Sequence, residues 1–166
     1  RHFDFLLGAD QVLTISNKDF SLENLIIEGS QESIAFLDYM KWLKLQQGKL
    51  GQLDSILQKA GETEKVLLRS QMNDLSKEVS QYWKEKSGKM PGTFFAAFLM
   101  SNHYEELKDE NIPEEYRAND SLKWTYQYAY RKNHYFDYFD LTDKRFLFTP
   151  IMKPKLDTYF DKVLLQ

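Results

Sequence analysis

The first sixteen residues alternate in polarity instead of cycling. Phe3, Phe5 and Leu7 occupy every second position, Gly8-Ala9-Asp10 supplies turn chemistry, and Val12 to Ile15 is rich in β-branched side chains. The pattern predicts a β-hairpin over 3–16. Leu25-Ile26-Ile27, ahead of Gly29, predicts a further short strand. A two-stranded hairpin is marginal by itself. Residues 1–28 are therefore expected to be the remnant of an upstream β-domain. The chain also opens on Arg1 in mid-pattern, which reads as the edge of a longer protein.

From Ser30 the period changes. Ser is a favoured N-cap, and Glu32 places an acid in the first turn, where the helix dipole stabilises it. Phe36, Met40, Leu43, Leu50 and Leu57 keep the seven-residue rhythm of an amphipathic helix. Gly48 and Gly51 interrupt that rhythm, each costing up to about 1 kcal/mol relative to Ala, so a kink or break is expected there. Gly61 reads as a stop, and Glu62 or Thr63 starts a second helix with the stripe Leu68, Met72, Leu75, Val79 and Trp83. Its charges balance, five acidic against five basic between Glu62 and Lys86, as on a solvated face. Two long antiparallel helices joined at Gly61 make an αα-hairpin. It frames a helical domain expected over 29–166.

Gly88 to Gly92 is the next punctuation, and Pro91 suits the first turn of a third helix over about 92–107. This helix is apolar nearly all round and is predicted to be buried. Residues 105–120 carry seven acids and two bases around Pro113, the pattern of an acidic surface loop. Asn119, Asp120 and Ser121 supply caps for a fourth helix over about 121–139. Half of the sixteen residues at 124–139 are aromatic and cover more than one face, so this helix is either central to the core or faces a partner. After Asp140 a non-helical crossing is expected, then a short helix from Pro150 or Pro154 to Val163. The fold class is thus mainly α: a helical bundle built on a long αα-hairpin, with a short N-terminal β-hairpin remnant.

Composition narrows the chemistry. A chain of 166 residues buries well over half of its unfolded surface and needs no disulfide or metal staple. The aromatic share of 15% favours a large-residue core or an adhesive surface. A formal charge of −3 argues against a nucleic-acid partner, whose phosphates call for clustered Lys and Arg. With zero cysteines, the chain itself has no thiol nucleophile, Cys-x-x-Cys pair, thiolate zinc or iron–sulfur ligation. The longest apolar run, Phe94 to Met100, is seven residues, too short for a membrane span.

A carboxylate-bridged di-iron bundle would need Glu-x-x-His turns, but Met100 precedes His103 and Arg131 precedes His134 at that spacing. His103 and Glu106 form a reversed pair that reads as a solvated helix end. His134 is a candidate acid or base, although no nucleophile elbow accompanies it and a core or cap role is expected. A hydrolase using His134 and an acid would require a deep pocket around that histidine. No phosphate loop, dinucleotide fingerprint or calcium loop is present, so no cofactor and no metal are expected.

The most distinctive stretch is 133–166. Asp140, Thr142 and Asp143 are turn formers, and Arg145 is placed to pair with one of the acids. Pro150 pushes Thr149 toward an extended conformation. The stretch reads either as a locked crossing between helices or as a docking surface. The candidate interaction surface comprises Tyr126, Tyr130, Asn133, His134, Tyr135, Asp140, Asp143, Arg145 and Thr149.

This stretch resembles the helical domain that precedes the thioredoxin domain in extracytoplasmic thiol-disulfide interchange and peroxiredoxin-like proteins of the Bacteroides group. The resemblance is carried by Asn133-His134-Tyr135-Phe136-Asp137, Phe139-Asp140, Asp143-x-Arg145 and Leu147-x-Thr149-Pro150, with Lys155 and Tyr159 in the following helix. Gly8-Ala9-Asp10-Gln11 and Gly29-Ser30 are similar to the end of the small β-domain upstream in those proteins. Lys144 and Phe148 depart from the pattern, standing where Pro and Arg are expected.

The resemblance implies a non-catalytic accessory domain of an extracytoplasmic thioredoxin-like oxidoreductase, periplasmic or attached to the cell envelope. Its partner would be a C-terminal thioredoxin-like domain in the same parent chain, and its task to position that domain or to recognise a substrate protein. The alternative is a free-standing helical binding module for an envelope peptide or glycan. A thioredoxin domain encoded downstream would separate the two.

Overall fold

Ser30 opens the helical part as its side chain allows: its hydroxyl accepts the backbone N–H of Ser33 at 3.2 Å. In the computed structural model, which describes residues 3–8, 12–105 and 107–164, the chain is mainly α-helical with a short antiparallel strand pair near its N-terminus. It divides into two compact units, Arg1–Leu99 and Met100–Gln166.

In the first unit, α1 (Gln31–Leu57) and α2 (Glu62–Lys89) form the expected αα-hairpin. Trp42 stacks on Tyr82 with ring centres 4.0 Å apart, and the Trp83 indole N–H donates to the Tyr39 hydroxyl at 3.2 Å. Tyr39 and Trp83 are equidistant from Gly61, so the helices run antiparallel. The expected break at Gly48 and Gly51 does not occur. Both glycines face open space, and α1 runs through them unbroken. A glycine weakens a helix but offers its backbone no competing partner. Gly61 does not stop α1, which ends earlier at Leu57. Instead it is the N-cap of α2, with φ −74° and ψ 165°.

The hairpin predicted over 3–16 is replaced by a different pairing. β1 (Thr14–Ser16) pairs antiparallel with β2 (Ile26–Glu28), setting Ile15 opposite Ile27. Phe3 to Leu7 has no strand pairing, and Ala9, Asp10 and Gln11 lie outside the described residues. The connecting loop decides the outcome. The Asn17 and Asp19 carboxyl or amide oxygens accept the N–H groups of Asp19 and Ser21, and the Asn24 amide donates to Asp19. These side chains close the turn that the 14–28 pairing needs. Phe3 joins Leu13, Ile15 and Leu22 around buried Leu25, Ile27 and Leu37, so β2 packs on α1 inside the first unit. The sequence boundary at 28/29 falls within this packing.

The third helix is shorter than the predicted 92–107. α3 spans Phe94–Ser101, and the division between the units falls inside it. Pro91 and Gly92, with φ +79° at the glycine, form the preceding turn. Thr93 then caps the helix, its hydroxyl accepting the Ala96 N–H at 3.2 Å, while Glu32 accepts the Phe95 N–H at 2.9 Å. Phe95 and Leu99 are fully buried, in line with the all-apolar pattern.

The second unit holds α4 (Glu114–Arg117), α5 (Asp120–Asn133) and α6 (Met152–Thr158), with a wider helical turn over Tyr159–Leu164. The predicted acidic loop is partly structured: a tight turn at Asp109–Asn111 and α4 flank a fully buried Ile112. Asn119 caps α5 as predicted, accepting the Ser121 N–H at 2.7 Å. α5 stops at Asn133, not near 139. Successive turns beyond His134 bring Phe139 against Phe146, 4.5 Å between ring centres, and Phe136 against Tyr159. A continued helix would spread these rings over several faces; the turns gather them into one core.

The crossing predicted to be non-helical contains a tight helical turn over Lys144–Phe148, capped by Asp143. Thr149 is extended, as predicted ahead of Pro150. The last helix starts at Met152, so Pro154 and not Pro150 lies in its first turn. Among the described residues, no helix is long and apolar enough to cross a membrane.

Candidate functional site

α5 and α6 each present one side-chain row at helical spacing. On α5 and its cap the row is Gln127, Tyr130, Arg131 and His134; on α6 and its cap it is Ile151, Pro154, Lys155 and Thr158. Positions i, i+3, i+4 and i+7 share a helix face. Within the second unit these rows line a cleft of about 840 Å³ whose remaining wall is residues 101–105 with Leu107, Tyr135 and Pro150. That volume falls in the range of pockets that hold small molecules or short peptide segments.

Several contacts fix the walls. The Tyr135 hydroxyl donates to the Lys155 carbonyl at 3.1 Å, and burial pushes that phenol above its usual range. The Tyr138 hydroxyl donates to Glu105 at 2.8 Å, a bond that also raises its pKa, and the Tyr138 ring meets buried His103 edge-on. His134 packs against Tyr130, 4.1 Å between ring centres, and its Nδ1 lies 2.7 Å from an Asp137 carboxylate oxygen.

Lys155 has the least ordinary surroundings. Its ammonium donates to the Ser101 carbonyl oxygen at the end of α3, where a cation complements the helix dipole. It also lies over the rings of Tyr135 and Phe139, 5.4 and 5.2 Å from their centres. Burial holds its pKa below the usual lysine range.

Of the nine residues read from the sequence as an interaction surface, Tyr130, His134 and Tyr135 line the cleft. The other six lie elsewhere. Tyr126 packs on Tyr116, and Asn133 is an exposed last residue of α5. Asp140 accepts from the backbone and hydroxyl of Thr142, bonds that lower its pKa. Asp143 pairs with Arg145 through two parallel bonds, at 2.9 and 2.7 Å, the pairing anticipated for Arg145. Thr149 donates to the Phe146 carbonyl and accepts the Ile151 N–H.

Sequence reasoning missed Gln127, Arg131 and Thr158, and noted Lys155 only through the family resemblance. The signal that finds them is the shared four-residue register of α5 and α6. A hydrolase at His134 would need a pocket, which the cleft supplies, and an acid, which Asp137 supplies. The His134 imidazole bonds that carboxylate and not a hydroxyl. Among the same residues no group of three or more His, Asp or Glu is arranged to hold a metal ion.

Comparison with protein-family models, with curated proteins and with solved structures finds no match to this chain.

Proposed function

We propose that this chain is a non-catalytic recognition domain of a thioredoxin-like thiol-disulfide oxidoreductase, and that it holds a segment of a protein in the 101–158 cleft. The observation that carries the reading is the cleft itself. His134, Tyr135 and Pro150, from the stretch that resembles the accessory domain of such proteins, form part of its lining. A thioredoxin-like domain in the same parent chain would supply the redox chemistry, since this chain has no cysteine.

Reading the gene beyond the codon for Gln166 tests the assignment. A frame that continues into Cys-x-x-Cys within a β-α-β context is the expected result; a nearby stop codon removes the oxidoreductase from the proposal. Insulin reduction gives a second test, because robust activity of this cysteine-free chain alone would overturn it.

One observation favours a free-standing binding module for a peptide or glycan. Trp124, 56% exposed, stacks on Tyr128 with ring planes 6° apart, and the Tyr128 hydroxyl is anchored on the Val163 carbonyl at 2.7 Å. A flat, fixed aromatic face suits a sugar ring. Binding to a glycan array that Trp124→Ala abolishes would support this reading, and an unchanged profile would remove it.

A further inference from the structure

The cleft is charged in a lopsided way. Its lining includes Lys155 and Arg131, and among the described residues neither takes part in any ion pair. Against these two cations, the lining acid among the described residues is Glu105, which accepts the Tyr138 hydroxyl, while Asp137 is paired with His134. An ammonium group has three N–H donors, and Lys155 gives one to Ser101. Beside that bond, the ammonium lies over the faces of Tyr135 and Phe139.

A cation drawn partly out of water without an anion beside it is unfavourable unless something compensates. Ring faces compensate only in part. A carboxylate entering the cleft would complete the compensation through charge-assisted hydrogen bonds, roughly twice as strong as neutral ones. Arg131, one turn from His134, adds a planar fork suited to the same group.

We propose that the cleft binds a carboxylate, and that its occupant is a short acidic peptide segment whose Asp or Glu side chain meets Lys155 and Arg131. This rests on the recognition reading above and names what is recognised. The rest of the lining favours a peptide over an acidic sugar. Pro150, Ile151, Pro154 and Leu107 offer apolar surface for flanking side chains, while Gln127 offers both a donor and an acceptor to a peptide backbone. The lowered pKa of Lys155 agrees with an ammonium that lacks its anion.

The test immobilises the full 166-residue chain. Three pools of acetylated heptapeptide amides are passed over it, with Glu, Gln or Lys fixed at the centre and all other positions mixed. The Glu pool is expected to be retained about tenfold more than the Gln pool, and the Lys pool least. Lys155→Met and Arg131→Gln should each remove that preference, while Lys155→Arg should keep it. Arg131 is exposed, so its variant tests the idea even if Lys155→Met fails to fold.

Equal retention of the Glu and Gln pools overturns the carboxylate inference and leaves the recognition reading standing. No retention of any pool overturns both. A Glu preference that survives in both Lys155→Met and Arg131→Gln places the anion elsewhere and overturns the assignment. A uronic-acid oligosaccharide retained more strongly than the Glu pool overturns the choice of a peptide.

Discussion

Gly29 and Gly92 share a left-handed backbone, with φ of +92° and +79°, yet their surroundings are opposite. A Cβ at Gly29 would lie 2.1 Å from the Val12 carbonyl oxygen, where real Cβ atoms essentially never come closer than 3.0 Å; at Gly92 nothing lies within 4 Å. Substituting Ala at each position therefore separates two effects. Gly92→Ala carries the conformational term alone, about 1–2 kcal/mol. Gly29→Ala carries that term and the contact as well. The obstructing atom is backbone, so no side chain can rotate aside, and Val12 must be displaced next to β1. Overpacking of this kind adds about 1–3 kcal/mol, giving about 2–5 kcal/mol in all.

Urea unfolding followed by the fluorescence of Trp42 and Trp83 reads the first unit, with Trp124→Phe as the common background. Midpoints are compared at constant slope. In a thermal scan the same losses appear as shifts of about 2–4 °C per kcal/mol for a chain of this size. Gly29→Ala should unfold at lower urea than Gly92→Ala. If the two variants are equally destabilised, or Gly92→Ala is the worse, the close approach of Val12 does not constrain Gly29 and the reasoning fails.

Three further outcomes are expected. Gly48→Ala and Gly51→Ala, inside α1 and facing open space, should each stabilise the chain by about 0.5–1 kcal/mol; a loss in urea midpoint would show that α1 needs a glycine there. The Arg145 hydrogen bond holds the Asp143 carboxyl below its ordinary value of 3.8, so its contribution is present above that pH and is lost as pH falls through the folded-state value. The stability gap between the parent and Asp143→Asn should thus be constant near neutrality and close below about pH 4, as read by urea midpoints; a gap that widens in acid contradicts the pairing. Burial depresses Lys155, so its ammonium is penalised at neutral pH and relieved as pH rises toward the unfolded value of 10.5. Lys155→Met should accordingly lie within about 1 kcal/mol of the parent or above it at neutral pH, and a loss of 3 kcal/mol or more would mean that the Ser101 contact dominates.

The helical frame was legible because its signals are local. The heptad rhythm of α1 and α2, the caps Ser30 and Asn119 and the Asp143–Arg145 pair all lie within a few turns of chain. Strand pairing was not. Two runs of similar β character compete for Thr14–Ser16, and their polarity pattern does not choose between them. The choice falls to the side-chain bonds among Asn17, Asp19, Ser21 and Asn24 that close one loop. The end of α5 was hidden for another reason. No Gly or Pro stands between Ser121 and Phe139, and what stops the helix is the docking of Phe136 and Phe139 onto rings that come later in the chain.

The same distinction explains which site residues were found. Distinctive turn chemistry drew the sequence reading to Asp140, Asp143, Arg145 and Thr149, and that chemistry serves the local turns: Asp140 binds Thr142, Asp143 binds Arg145 and Thr149 binds the Phe146 carbonyl. A group whose bonding capacity is spent on its own turn has little left for a ligand. Arg131 carries no motif and Lys155 stands out only through the family resemblance, yet both bring charge to the cleft without an ion-pair partner among the described residues. A charge drawn partly out of water at a cost in stability points to a role outside the fold. Lys155→Met joins the two statements in one variant: a chain that folds as well as its parent and no longer prefers the acidic peptide pool would place this lysine in recognition and not in the fold.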